Sequence, residues 1–316
     1  MKKLLGSSTR TQMRKGLQSL LGLLIIYALF SIASPTFRTF ATFTTILTQS
    51  VILGTMAAGP TIVLIAGGLD LSIGSLFCLV AVCSGWMLIA GVPVAIVVIV
   101  ALAIGAAGGA VNGAIILGTG IPSFIGTLGM MKLYRGLAEI LAANKDMSRF
   151  PPSFQMIGMG YAIPIAIMVV AFILVYIFLS RTKLGFNCYA IGGNNEVSRL
   201  AGIPVKKYYF IYYTIGGFFA GLSAIIQSSR LNFTNASWGN GMELDAIAAV
   251  IIGGTSMSGG IGGVGRTVIG VLIINTLYAG LSHLGVSSSW QRVSVGIVII
   301  FAVWLDVSQR RRELRV

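Results

Sequence analysis

Few residues in this sequence have the types and spacing that enzyme chemistry requires. The run Gly260 to Gly265 has the letters of the dinucleotide fingerprint G-x-G-x-x-G, but the next acidic residue, Asp306, comes roughly forty positions later instead of about twenty. No lysine is followed by Ser or Thr, so the phosphate-binding loop G-x-x-x-x-G-K-[ST] is absent. We therefore expect no ATP or dinucleotide site in this chain.

Metal and thiol chemistry is not indicated either. His283 is the single histidine, and the three cysteines, Cys78, Cys83 and Cys188, have neither zinc-ligand nor disulfide spacing. We predict that the chain is not an enzyme, binds no metal and needs no cofactor of its own.

The composition points to a lipid environment. Of 316 residues, 56% are hydrophobic and only 9% are charged, whereas about 25% of the residues in soluble domains are charged. Because backbone polar groups in lipid must be satisfied within the chain, long apolar runs favour helices. We predict an all-α, polytopic membrane protein that forms a single domain over residues 1–316.

The apolar runs of membrane length predict about ten transmembrane helices. They cover residues 17–34, 43–66, 71–90, 93–117, 121–142, 161–180, 208–229, 242–258, 262–282 and 289–306. An even number of crossings places both termini on the same side of the membrane. The first run is interpreted as an uncleaved helix and not as a signal peptide.

The positive charges predict the orientation in the membrane. The net charge is +14, and most of the lysines and arginines fall in Met1 to Gly16, in the loop 181–207 and in the tail after Asp306. Each segment adjoins an apolar run, which is the positive-inside pattern. We expect an inner-membrane protein with both termini and the 181–207 loop in the cytoplasm, in contact with lipid and not with nucleic acid.

An internal echo predicts broken helices. Half of the positions agree between Ile65–Gly74 and Ile251–Gly260, and both segments interrupt an apolar run with glycines and hydroxyls. Paired interruptions of this kind occur around the substrate path of transporters. Chance similarity between two glycine-rich turns explains the echo equally well.

The segment from Gly192 to Pro204 predicts a short cytoplasmic helix. Asn194 or Asn195 can cap its first turn, Glu196 suits the positive end, and Gly202 terminates it. Apolar side chains share one face at helical spacing. So short a helix is marginal alone and needs a docking surface, either the body of the same protein or a cytoplasmic partner.

Five segments resemble the permease subunits of ribose-type ABC importers, in the family order and over most of the chain. They are Gly67–Ser75, Ile121–Ile125, Thr127–Met131, Ala190–Ile203 and Glu243–Ser256. The resemblance implies a homo- or heterodimeric permease, an ATP-binding cassette subunit that binds the ATP, and an extracytoplasmic sugar-binding protein. It also implies import of a monosaccharide, ribose or a similar pentose or hexose, across the cytoplasmic membrane.

In this family the short cytoplasmic helix is the coupling helix that docks on the ATPase. The implied coupling residues are Asn194, Asn195, Glu196, Val197, Arg199, Leu200, Ala201 and Gly202. The family pattern has Glu-Ala-Ala with a glycine six positions after the Glu. Val197 and Ser198 replace the two alanines here.

Polar residues within apolar runs are candidates for the translocation path, because such groups are costly unless they face water or a partner. They are Asp70, Ser72, Asn112, Thr255 and Asn275. Structural hydrogen bonding between helices is the competing interpretation. A proton-coupled secondary sugar transporter, with Asp70, Glu139 and Glu243 as its relay, is the rival function, and a passive channel is a third.

Overall fold

The computed structural model describes residues 2–143 and 145–313, and side-chain environments for residues 17–143, 145–304 and 308. The chain is helical, as predicted, and has one two-stranded ladder within these ranges. The basic side chains of both terminal segments lie outside the described environments. In chain order the elements are α1 (Lys2–Ala33), a 3-10 helix (Pro35–Arg38), α2 (Phe40–Ile65), α3 (Ile73–Ile89), α4 (Val94–Thr119), α5 (Ser123–Ala142), β1 (Met147–Ser148), α6 (Pro152–Gly158), α7 (Ala162–Arg181), α8 (Lys183–Gly193), α9 (Asn195–Leu200), α10 (Val205–Leu231), β2 (Phe233–Thr234), α11 (Met242–Ile252), α12 (Val264–His283) and α13 (Ser288–Glu313).

Five of the described helices, α2, α4, α7, α10 and α12, are long and apolar enough to cross a membrane. Shorter apolar stretches lie at Leu17–Ala33, Ile73–Ile89 and Ser288–Trp304. Each of the ten predicted runs contains a helix. In the run 242–258, however, the helix is shorter than predicted, since α11 has only 11 residues. At about 1.5 Å per residue, it covers only about half of a hydrocarbon core of about 30 Å.

Local sequence explains where the helices begin and end. The Thr182 hydroxyl accepts a hydrogen bond from Gly185 N at 3.0 Å and so caps α8. Gly120, at φ +71°, terminates α4 in the left-handed conformation, and Pro122 precedes α5. Gly120 and Pro122 thus separate the adjoining apolar runs 93–117 and 121–142.

Glycines allow α4 and α10 to approach closely. A Cβ on Gly105 would lie 2.5 Å from the Gly217 carbonyl oxygen and 3.1 Å from the Gly221 backbone. Gly109 likewise meets the backbone at Gly217. These glycines, spaced by four residues, therefore serve helix packing, which requires small residues where helices approach closely in lipid.

The core lies where α2, α3, α10 and α11 meet. Met56, Leu64, Phe77, Ile226 and Val250 are among its fully buried side chains. α2 is enclosed by its neighbours along most of its length, whereas most side chains of α4 and α7 are half-buried or exposed. Such an exposed apolar belt suits contact with lipid.

Both segments of the internal echo end a helix in the same way. Gly67 and Gly254 each have a positive φ, +82° and +97°, directly after the end of α2 and of α11. The matching hydrogen bonds are Gly68 N to Val63 O at 2.9 Å and Thr255 N to Val250 O at 3.1 Å. The matching backbone conformations therefore place Gly67 opposite Gly254. The alignment of the two echo sequences places Gly67 opposite Gly253, so the two matches differ by one residue.

The other end of the bundle is closed by loops. β1 and β2 pair antiparallel, with Met147 opposite Thr234. The Arg135 guanidinium on α5 donates from Nη1 to the carbonyl oxygens of Ala236 at 2.7 Å and Trp238 at 2.6 Å. These contacts join the loops that follow α5 and α10.

Candidate coupling helix and buried polar cluster

The short helix predicted between Gly192 and Pro204 is present as α9, and both of its ends are capped. The Asn194 Oδ1 accepts a hydrogen bond from Val197 N at 3.0 Å, so Asn194 and not Asn195 is the cap. At the other end, Ile203 N donates to Ser198 O and Gly202 N to Arg199 O, both at 3.1 Å. With Gly202 at φ +81°, these bonds form a Schellman motif.

One face of α9 is attached to the protein and the other is open. Ser198 is buried at 5% exposure, while Val197 is 59% exposed and Leu200 75% exposed. Ala201 is also exposed. The predicted apolar face therefore points away from the body of this chain.

An ion pair lies on the surface of α9. The Arg199 Nη2 is 2.6 Å from Glu196 Oε1, and both side chains are about two-thirds exposed. Hydrogen bonds from Arg199, and then its positive charge, hold the pKa of the Glu196 carboxyl below its ordinary value. Water screens such a pair, so it contributes little to stability.

A cavity of about 350 Å³ opens beside α9. Asn195, Arg199 and Lys206 form its basic and polar wall, and Tyr209 and Tyr213 form part of its aromatic wall. It extends to the Gly67–Gly68 turn that follows α2.

Three of the predicted path residues form one buried cluster. The Asp70 Oδ1 accepts hydrogen bonds from Ser72 N at 2.8 Å and Ser72 Oγ at 2.7 Å. The Asn112 Nδ2 donates to Ser72 Oγ at 2.7 Å and to Asp70 Oδ2 at 3.3 Å. The Tyr134 hydroxyl donates to Asn112 Oδ1 at 3.0 Å. Asp70, Ser72 and Asn112 are each at most 2% exposed in the single chain.

Side chains from neighbouring helices satisfy the backbone of the broken segment between α2 and α3. Leu69 N donates to the Ser123 hydroxyl at 3.2 Å and Leu71 N to the Thr127 hydroxyl at 3.1 Å. The Tyr213 hydroxyl donates to Leu69 O at 3.1 Å. Non-helical backbone at membrane depth is tolerated only where the protein supplies such partners.

The other two predicted path residues lie apart from this cluster. The Asn275 Nδ2 donates to Val271 O of its own helix at 3.0 Å. The Thr255 Oγ1 is buried and has no hydrogen-bond partner. Whether any of these residues lines a path stays a prediction.

A family model for the permease component of branched-chain amino acid transport systems matches residues 42–303. The chain belongs to this permease family. The ribose import permease of Escherichia coli (strain K12) is 39% identical over 297 residues, which are 92% of each chain. The ribose import permease of Bacillus subtilis (strain 168) is 39% identical over 267 residues, 83% of each chain. The D-allose transport system permease protein of E. coli (strain K12) is 34% identical over 268 residues, 83% of this chain and 82% of that protein. No solved structure gave a match.

Sequence reasoning missed several residues that shape the permease around these sites. Tyr134, Tyr209 and Tyr213 carry no motif, and only the fold shows which groups accept hydrogen bonds from their hydroxyls. Ser123 and Thr127 lie in two of the segments that resemble the permease family, but the resemblance gives neither residue a role. Their spacing of four on one helix face was the available signal for a shared polar contact.

Proposed function

We propose that this permease imports a monosaccharide, with ribose as the first candidate, using ATP that a separate cassette subunit binds and hydrolyses. The observation that carries the proposal is the water-facing apolar pair on α9, Val197 and Leu200. The similarity to ribose import permeases and to the D-allose transport permease suggests the class of substrate.

The exposed face of α9 supports a docked partner. A six-residue helix is marginal by itself, yet α9 is capped at both ends and presents Leu200 to solvent. Burying a leucine side chain contributes about 1.5–3 kcal/mol, which a groove on another subunit would supply. Glu196 and Arg199 lie beside this face and suit the polar rim of an interface.

We further propose ten crossings, with both termini and the 181–207 loop in the cytoplasm. The charge distribution supports this orientation, and the ten helix-containing runs support the number. In this arrangement α11 crosses only part of the membrane. Together with the loop before it, it forms one broken crossing, since a Cβ on Gly239 of that loop would lie 3.2 Å from the Phe77 ring on α3.

The remaining partners are a second permease copy, identical or homologous, and an extracytoplasmic sugar-binding protein. We assign Asp70, Ser72 and Asn112 to the structural role, because their polar atoms are hydrogen-bonded to one another. Thr255 is the better candidate for the path, since its buried hydroxyl lacks a partner within the chain.

Reconstituted transport tests this function. Proteoliposomes that hold the permease with its cassette subunit, and the sugar-binding protein on the substrate side, should accumulate labelled ribose only when ATP can be hydrolysed. A protonophore should leave uptake unchanged. Uphill uptake by the permease alone, or uptake abolished by the protonophore with ATP present, would instead support the proton-coupled alternative.

Competition identifies the sugar. Unlabelled ribose, allose and glucose are added in turn to the labelled-ribose assay at equal concentration. Ribose should compete most strongly if it is the physiological substrate. Stronger competition by allose would move the assignment to a hexose while leaving the ATP-driven mechanism intact.

A further inference from the structure

Three separate segments meet at Gly192, two residues before the cap of α9. A Cβ on Gly192 would collide with the Ile65 carbonyl oxygen at the end of α2 and would lie 2.5 Å from Gly260 N. Gly259 also packs closely, because a Cβ there would lie 2.7 Å from Gly192 O and 2.9 Å from both Gly192 Cα and Gly67 Cα. No side chain separates the three backbones.

Hydrogen bonds fix the same three segments to one another. Gly260 N donates to Ile65 O at 2.8 Å, which ties the loop after α11 to the end of α2. The Tyr189 hydroxyl on α8 donates to Gly262 O at 3.2 Å. The Tyr209 hydroxyl on α10 donates to Ala66 O at 2.8 Å. The end of α2 and the loop that follows α11 therefore meet α8 at this junction.

The polypeptide chain connects this junction directly to α9. Gly192 and Gly193 are the last residues of α8, and Asn194 is both the C-cap of α8 and the N-cap of α9. No flexible linker lies between them. Because packed backbones without side chains cannot be compressed, a shift of α9 that tilts the end of α8 also displaces the ends of α2 and of the segment after α11.

We propose that Gly192 is a positioning residue that links movement of α9 to the end of α2 and to the loop that follows α11. This proposal rests on the proposed function, since it takes α9 to be the element that the ATPase moves. The contact of Gly192 with Ile65 and Gly260 is the linkage, and its closeness makes it specific to glycine.

A matched pair of variants tests the linkage. Gly192→Ala places a methyl group against Ile65 O, whereas Gly193→Ala adds one where nothing lies within 4 Å. Neither glycine has a positive φ, so the two substitutions differ in contact and not in backbone strain. Both variants are assembled with the cassette subunit and the binding protein in proteoliposomes, and sugar uptake and ATP hydrolysis are measured together.

The expected result is a loss of coupling. Gly192→Ala should co-purify with the cassette subunit and retain ATP hydrolysis, but sugar imported per ATP should fall at least about fivefold, as the low end of an overpacking cost implies. Gly193→Ala should match the wild type. A merely structural role would lower uptake and hydrolysis in proportion to the amount of folded protein.

A second pair keeps the test decisive if Gly192→Ala does not fold. Tyr209→Phe removes the hydrogen bond to Ala66 O, and Tyr208→Phe changes a neighbouring ring that packs against Tyr212. Tyr209→Phe should lower sugar imported per ATP by about twofold to tenfold, the range for one lost hydrogen bond, and Tyr208→Phe should not.

Two outcomes would overturn the linkage. The first is that Gly192→Ala and Tyr209→Phe, where they assemble with the cassette subunit, import as much sugar per ATP as the wild type. The second is that a variant and its matched control lose the same amount of sugar imported per ATP. Failure of the proposed function looks different, because the wild-type permease would then show no ATP-dependent uptake in the same assay.

Discussion

The polar cluster around Asp70 and the helix α9 are opposite cases of side chains whose polarity differs from that of their surroundings. In the cluster, a carboxylate, an amide and two hydroxyls lie inside the bundle and find partners in one another. On α9, apolar side chains lie in water and find none within the chain. The contrast shows that the cluster is complete in the single polypeptide, whereas the proposed function requires a second polypeptide to cover the apolar face of α9.

The sharpest way to break this contrast is to place a charge on the apolar face of α9. Leu200→Asp should reduce ATP-driven uptake by at least about 30-fold, because it removes about 2 kcal/mol of apolar burial at the interface. Leu200→Met, which keeps volume and apolarity, should retain most of the activity. Uptake in proteoliposomes and co-purification of the cassette subunit are the measurements, and normal transport by Leu200→Asp would contradict docking through α9.

Removing one member of the cluster should damage the fold and not the interface. Asn112→Ala takes away the donor to Asp70 Oδ2 and Ser72 Oγ, so we expect a loss of about 1–3 kcal/mol in unfolding free energy. Asn275→Ala, which removes a bond within one helix, serves as the control and should cost less. Unfolding in detergent measures both. Equal effects, or weaker binding of the cassette subunit by correctly folded Asn112→Ala, would contradict the structural role.

The cap of α9 provides a smaller and more specific effect. Asn194→Ala removes the acceptor for Val197 N and should cost about 1 kcal/mol of helix stability, which corresponds to roughly fivefold weaker binding of the cassette subunit. Asn195→Ala lies one residue inside the helix and should change binding much less. A titration of labelled cassette subunit in detergent distinguishes the two, and a larger effect at Asn195 would refute the assignment of the cap.

The ion pair on α9 should matter least. Because the folded pKa of Glu196 lies below its ordinary value, the pair contributes above that ordinary value and is lost only as the pH falls through the lowered pKa. Uptake by wild type and Glu196→Gln should therefore differ by less than about twofold and show parallel pH profiles between pH 6 and 8. Divergence of the profiles within this range would assign Glu196 a larger role.

The sequence predicts the helices well because lipid leaves the backbone few choices. All ten apolar runs contain helices, and the caps of α9 follow from Asn194 and Gly202. The echo predicted a break at Gly253 and Gly254, but the apolar run 242–258 continues past both glycines, so the length of α11 was overestimated from that run. Hydropathy averages across such a break.

The contacts that define the candidate sites are less predictable, because they join residues far apart in sequence. Asp70 and Asn112 could be singled out as polar residues in apolar runs, but their bond to each other depends on how α4 packs beside the broken segment. Nothing in the sequence distinguishes Gly192 from Gly193. The importance of Gly192 arises from the close approach of Ile65 and Gly260, which only the structure shows. Matching the two echo segments also required the φ values at Gly67 and Gly254.

The openness of Leu200 has a practical consequence for the unpartnered protein. The Leu200 side chain is exposed on the short helix α9, where detergent or lipid around the transmembrane helices would not cover it under the proposed orientation. Permease molecules produced in excess of the proposed cassette subunit would therefore associate with one another through the exposed Leu200 side chain. Balanced co-production of the two polypeptides is therefore expected to raise the yield of monodisperse material.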